Sequence, residues 1–535
     1  MHAPRSTGTI RAALAAAVAG AAALAGCAPQ LTVPTAHTDP LQRFYAQKLT
    51  WTACGELQCA RLTVPMDYTH PGNGKTFSLP LAKAAATHPS ARIGSLVFDP
   101  GGPGASGVAT LKAGGTDSFS ATVRARFDIV GFDPRGVAGS RPSVDCGDSG
   151  PAATPTGDPA TAPDPATDAA PLVPRTAADR GAAVASADAG TAACLAHSGD
   201  LLRHVGTEDA ARDLDVLRAA LGDPKLSYLG WSYGTYLGTV YGELFPQRVR
   251  ALVLDGAVDP SKDWAARDLE QGAAFAHAVD AYADRCATVV TTGCPAGGDP
   301  AGIRRVLADL ATRTATDPLP VQGGKQPPLD AVTFNSALTT AMYTPEAQWQ
   351  ELSDGLRAAA EQGDGTGLAT LARSGTNLQD DGSSPSPGAA TPSQDEQAPD
   401  NSTAALTAVD CLDVPHPRAP DAYWRLLDRA TASSGDYGAT TVLSDLACRT
   451  WPAGTAEPHR VHAPGLPPVL VVGTTGDPAT PYQDAQSLAA QLPHGMLLTY
   501  DGLGHTAYGR SNGCVTDAVD GFLVDLRPVA DGTTC

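Results

Sequence analysis

Apolar and polar positions along the chain fall into two alternating patterns. Compact apolar runs of four to six residues occupy positions 93–98, 127–132, 226–229, 251–255, 468–473 and 496–500, and several end directly in Gly, Pro or Asp. Runs this short predict buried strands, and their separation by stretches with helical spacing predicts a mostly parallel sheet with functional loops at the strand ends. Residues 51–64 and 76–83 alternate more evenly around His70-Pro71-Gly72-Asn73-Gly74, the pattern of an antiparallel hairpin. Helical spacing is expected over 179–220, 235–244 and 482–492, with 496–500 as the last strand. Between 261 and 452 the sheet pattern stops, and Ala-rich amphipathic stretches at 264–285, 302–312 and 345–361 predict a helical insertion, a cap over the sheet. The fold class expected is therefore α/β, with a core in two parts (51–260 and 453–535) and a cap (261–452).

Two segments depart from both patterns. Residues 147–174 and 380–401 are Pro, Gly, Asp, Ser, Thr and Ala with almost no large apolar side chains, so they bury too little surface to offset their conformational entropy and are expected to be flexible. With 42% hydrophobic but only 5% aromatic residues, the core is expected to be built from Ala, Val and Leu. The net charge of −19 argues against a nucleic-acid partner, which needs clustered Lys and Arg.

The amino terminus carries Arg5 and Arg11, an Ala/Val/Leu run from 12 to 23, and Leu24-Ala25-Gly26-Cys27. The run is shorter than the ~20 residues that span a bilayer as a helix. It reads as a cleaved signal over 1–26. Leu-Ala-Gly-Cys resembles a lipobox, which makes Cys27 the candidate for diacylglyceryl modification and residues 27–50 a tether; an ordinary secretory signal is the alternative. Setting Cys27 aside leaves ten cysteines, an even set suited to an oxidising compartment. Sequential pairing is expected: Cys54 with Cys59, Cys146 with Cys194, Cys286 with Cys294, Cys411 with Cys448, and Cys514 with Cys535. Paired C-x-x-C knuckles with nearby histidines are missing, so neither a metal nor another cofactor is expected.

The chemistry centres on Gly230-Trp231-Ser232-Tyr233-Gly234. A G-x-S-x-G frame between a buried strand and a helix is the pattern of a nucleophile elbow, in which small flanking residues let strand and helix approach closely. Ser232 is the candidate nucleophile. A serine hydroxyl needs a base oriented by an acid. His505 follows the last expected strand, and Asp477 follows the strand before it, which is the chain order of α/β-hydrolases. Asp255, at the end of the strand after the elbow, is the competing acid. Gly101-Gly102-Pro103-Gly104 follows another strand end, so the amides of Gly102 and Tyr233 are the candidate oxyanion donors. No Gly-Lys-Ser/Thr follows that loop, which disfavours a nucleotide site.

With these motifs the chain resembles the secreted tripeptidyl aminopeptidase and proline iminopeptidase-like α/β-hydrolases of actinobacteria. The likeness rests on residues 99–107, 131–136, 230–235, 476–481 and 504–505, and extends to Cys411-Leu412-Asp413 and residues 448–452. Asp99 is a departure, since related iminopeptidases often carry His before Gly-Gly-Pro-Gly. The resemblance implies a serine exopeptidase that takes short peptides from a free amino terminus; export is expected from the amino-terminal signal, and a monomer is expected. Asp410 and Asp413 are candidates for the substrate ammonium, although Asp413 suits pairing with a cap arginine equally well. An esterase acting on cell-envelope lipids and a catalytically silent binding lipoprotein are the alternatives.

Overall fold

The computed structural model describes residues 39–147, 171–323, 326–376, 400–452 and 454–535. Cys27, the signal, and most of the two low-complexity segments lie outside them. Among the described residues ten strands form one sheet: β1 (Thr52–Cys54), β2 (Leu57–Pro65), β3 (Thr76–Ala84), β4 (Gly94–Asp99), β5 (Phe127–Phe132), β6 (Leu226–Trp231), β7 (Val249–Asp255), β8 (Val469–Gly476), β9 (Gly495–Leu503) and β10 (Thr533–Thr534). Their order is β1-β2-β3-β5-β4-β6-β7-β8-β9-β10. The first three strands and the β3 to β5 junction are antiparallel, and every later pairing is parallel.

Helices cover both faces, which explains why the central strands are apolar throughout: β4 is buried at all six positions and β7 at all but Arg250. One apolar layer packs Leu214, Tyr228, Leu237 and Val471 together, and the opposite layer packs Phe98, Leu229, Val253 and Leu470. Among the described residues between β7 and β8 lie seven α-helices, from Trp264–Val289 to Pro420–Ser444, with a core around Tyr282, Trp349, Leu352 and Leu368.

The edges of this plan differ from the sequence pattern. The strand at 495–503 is not the last, because Thr533–Thr534 pairs with it, held by the Cys514–Cys535 disulfide and by Leu497 N–H donating to Asp531. Residues 40–50, which composition assigns to a tether, pack on the body: Phe44 is buried and Tyr45 donates to Asp215 at 2.7 Å. Asn401, at the end of the second low-complexity run, is also anchored, accepting from Ala138 N–H and donating to the carbonyls of Gly136 and Val144. The disulfides join Cys54 to Cys59, Cys146 to Cys194, Cys286 to Cys294, Cys411 to Cys448 and Cys514 to Cys535. Among the described residues, no helix is long and apolar enough to cross a membrane.

Candidate active site

Ser232 stands between β6 and the helix Tyr233–Leu244 with φ 55° and ψ −124°. A non-glycine residue there costs about 1–3 kcal/mol, so the surrounding structure must impose it. Ser232 N–H donates to the Asp255 carbonyl at 2.9 Å, and Thr235 N–H donates to the Ser232 carbonyl at 2.8 Å. The two glycines of the pentapeptide are required by contact rather than by φ. A Cβ on Gly230 would fall 2.2 Å from the Gly234 carbonyl, and one on Gly234 would fall 2.7 Å from the Asp99 carbonyl.

His505 Nδ1 lies 2.9 and 3.0 Å from the two carboxylate oxygens of Asp477. Burial pushes the Asp477 carboxyl up, but the His505 charge and hydrogen bonds from His505, Thr480 and Thr506 outweigh burial and leave it below its usual range. It is therefore a carboxylate at neutral pH. Ser232 and His505 line one cavity of about 820 Å³, and Gly256 lies against the imidazole and its flanking threonines: a Cβ there would meet Thr506 at 3.0 Å and His505 Cε1 at 3.2 Å. Ser232 Oγ makes no hydrogen bond to the imidazole among the described residues, a pairing that in resting hydrolases is often long and tightens only with substrate.

Asp255 is differently employed. Its carboxylate accepts from the N–H groups of Ala507 (3.0 Å) and Tyr508 (2.8 Å), so it ties down the chain just beyond His505 instead of facing the imidazole. Burial raises its pKa to about 6.

The glycine loop after β4 lies against the elbow. Gly101 (φ 100°) leaves no room for a side chain, since a Cβ would fall 2.6 Å from the Trp231 carbonyl and 2.9 Å from Ser232 Cβ. Neither Gly102 N–H nor Tyr233 N–H is used by another group among the described residues, and both residues line the cavity. Asp99 turns inward: one oxygen accepts from Gly101 N–H at 2.8 Å, and the other is buried without a partner. Burial raises this carboxyl to about 7.

Away from the elbow the cavity is lined by Asp268, Asp410, Asp413 and Asp445, with Arg267 beside them. Asp413 does not pair with an arginine; its oxygens accept from Thr207 N–H (2.9 Å) and Thr207 Oγ1 (2.5 Å), and the same hydroxyl is hydrogen-bonded to Tyr233 Oη. Asp445 faces His416 Nε2 at 2.9 Å. Asp410 makes no side-chain hydrogen bond among the described residues, and Asp268, 7% exposed, keeps one carboxylate oxygen buried without a partner. Burial, reinforced by neighbouring carboxylates, pushes both well above the usual carboxyl range.

Asp268 and Arg267 were not legible as site residues, since in sequence they sit on the polar side of an amphipathic helix. His416, Asp445 and Cys448 approach one another, but the Cys448 sulfur is bonded to Cys411 and supplies no thiolate for a metal.

Residues 94–292 match the α/β hydrolase fold family, and residues 434–535 match the TAP-like protein family. The chain is 36% identical to serine protease Hip1 of Mycobacterium tuberculosis over 516 residues, covering 91% of each chain. It is 34% identical to the tripeptidyl aminopeptidase of Streptomyces lividans, covering 91% of this chain and 84% of that one. Similarity to carboxylesterase B of M. tuberculosis is of the same order, 34% over 515 residues, covering 92% of this chain and 91% of that one. The chain belongs to the tripeptidyl aminopeptidase-like α/β-hydrolases, and it is a serine hydrolase.

Proposed function

We propose that this enzyme is a serine exopeptidase that releases di- or tripeptides from the free amino terminus of peptides through an acyl-enzyme. The observation that carries the peptide reading is a pair of uncommitted carboxylates in the same cavity as Ser232: Asp268, with one oxygen buried without a partner, and the half-buried Asp410, which makes no side-chain hydrogen bond among the described residues. The Arg267 guanidinium acts on Asp268, Asp410 and Asp413 together. Buried acids without partners are costly, and a substrate ammonium would supply the missing donor and charge. Asp413 contributes indirectly, because both its oxygens are occupied by Thr207.

In this mechanism Asp477 holds His505 with Nδ1–H donating to the carboxylate, which leaves Nε2 as the base. Ser232 Oγ attacks the scissile carbonyl while His505 Nε2 takes its proton. The developing oxyanion accepts from Gly102 N–H and Tyr233 N–H, each worth about 3 kcal/mol in the transition state. The tetrahedral intermediate collapses, the imidazolium gives its proton to the departing amine, and the di- or tripeptidyl group remains as an ester on Ser232 Oγ. Water, deprotonated by the same imidazole, then releases it.

The likeness to carboxylesterase B supports ester hydrolysis as a second reading. Matched peptides with free and acetylated amino termini distinguish the two. The exopeptidase reading expects kcat/KM to fall at least about 100-fold on acetylation, the loss of one buried charge-assisted contact or more. Equal rates on both peptides, or turnover of esters alone, would contradict it.

Five disulfides suit an oxidising compartment. Export with a diacylglyceryl anchor at Cys27 would hold a monomeric body at the outer face of the membrane. An unmodified amino terminus beyond Cys27, read by mass spectrometry of the mature protein, would rule out the anchor.

A further inference from the structure

The segment that presents His505 is irregular in a way that calls for external support. It leaves β9 through Gly504 at φ 90° and passes through Thr506 at φ 64°, a left-handed conformation that a β-branched residue rarely adopts. Its amides are each held from outside. His505 N–H donates to the Tyr343 carbonyl at 2.8 Å, Thr506 N–H to Asp477 at 3.1 Å, and those of Ala507 and Tyr508 to Asp255.

Its carbonyls converge on one side chain. Arg510 Nε donates to the His505 carbonyl at 2.8 Å, and Arg510 Nη2 donates to the carbonyls of Leu503 (2.8 Å) and Thr506. The remaining nitrogen, Nη1, reaches Glu346 at 3.0 Å. That last pair is at the surface, with Glu346 about half exposed, so it adds little. The three carbonyl bonds are different: they are made by a planar fork to three carbonyls within four consecutive residues centred on the candidate base. A lysine ammonium cannot reproduce that geometry.

We propose that Arg510 is a positioning residue of the reaction, its guanidinium fixing the backbone of residues 503–506 so that the His505 ring stays between Asp477 and the Ser232 hydroxyl. This rests on the reading of Ser232 and His505 as nucleophile and base. The guanidinium touches no reacting atom. It acts by denying the imidazole the alternative loop conformations in which Nε2 points away from the cavity, and a displacement of about 1 Å at such a base costs on the order of 100-fold in rate.

The test uses the full mature chain and two readouts: the second-order rate of phosphonylation of Ser232 by a fluorophosphonate, and kcat and KM on a free-amine tripeptide anilide. Arg510→Ala and Arg510→Lys are expected to lower both the phosphonylation rate and kcat by about 100-fold, with KM changed by no more than about two-fold, because the carboxylates at the far end of the cavity are untouched. Added guanidinium ion is expected to restore part of the Arg510→Ala rate and none of the Arg510→Lys rate, since the lysine stem fills the space. Glu346→Gln, which keeps all three carbonyl bonds, is expected to match the wild type, which assigns the loss to those bonds rather than to the surface ion pair. Arg510→Lys at wild-type rates, or a loss in Arg510→Ala confined to KM, would overturn the proposal. A wild-type protein that is not labelled at Ser232 would instead overturn the reading on which it rests.

Discussion

At the scale of single residues, the site assigns distinct tasks to three carboxyls that look alike in sequence, each at or just after a strand end. Asp477 faces the imidazole, Asp255 accepts two backbone amides beyond it, and Asp99 braces the glycine loop. Asp477→Asn should cost about 10⁴-fold in kcat by favouring the wrong imidazole tautomer, whereas Asp255→Asn, which loses part of two amide contacts, should cost about 10-fold or less. Steady-state rates of the two variants check this, and the reverse order would exchange their roles. Asp99 makes a separate prediction. Burial raises its carboxyl from 3.8 to about 7, so the folded protein binds this proton more tightly than the unfolded chain. The stability it contributes is complete below about pH 4 and is lost as pH rises through about 7, roughly 4 kcal/mol in all. Asp99→Asn, which keeps an acceptor for Gly101 N–H, should show a smaller fall in urea-unfolding free energy between pH 5 and pH 8 than the wild type. An identical fall in both would refute a titrating Asp99.

At the scale of elements, the strand-to-helix turn at Ser232 is joined to the cap by a buried relay: Tyr233 Oη to Thr207 Oγ1 to Asp413 at the end of the helix Ser402–Asp413. The elbow residue whose amide is the candidate oxyanion donor is thus braced from its side chain. Thr207→Val leaves the Asp413 carboxyl with one donor instead of two, and should lower stability by about 1–3 kcal/mol with a smaller effect on KM than on kcat. Thermal unfolding and peptide kinetics test it; unchanged stability would mean that the relay carries no weight. This link was invisible in the chain because its members are 26 and 206 residues apart. The elbow was legible for the opposite reason. Gly230 is demanded by the Gly234 carbonyl four residues on, so the local sequence records it, while Gly234 answers to the distant Asp99 carbonyl that packs against the turn. The strands from β4 to β9 were legible because burial on both faces makes them continuously apolar, while two-residue β10 is placed by a disulfide and one aspartate rather than by its own hydrophobicity.

At the scale of the whole molecule, the helical insertion and the sheet share one cavity: the insertion supplies Asp268, Asp410 and Asp445, and the sheet supplies Ser232 and His505. The sequence placed the sheet's share by motif and strand order. It left Asp268 and Arg510 unmarked, since an aspartate on an amphipathic helix and an arginine after a turn look like surface residues until long-range packing buries them. Because burial and mutual repulsion hold Asp268 and Asp410 well above the usual carboxyl range, they take up protons as pH falls and then attract an ammonium less strongly. KM for a free-amine peptide should therefore rise toward acid pH, and Asp268→Asn should raise KM at neutral pH and flatten that rise. A KM independent of pH in the wild type would remove the carboxylates from substrate binding.

The most direct measurement is mass-spectrometric mapping of the protein after titration with a fluorophosphonate, with residual peptidase activity followed in parallel. One phosphonyl group per chain is expected, on Ser232, with activity lost in proportion to labelling and neither label nor activity in Ser232→Ala. Labelling at another serine, or peptide turnover that survives in Ser232→Ala, would contradict it.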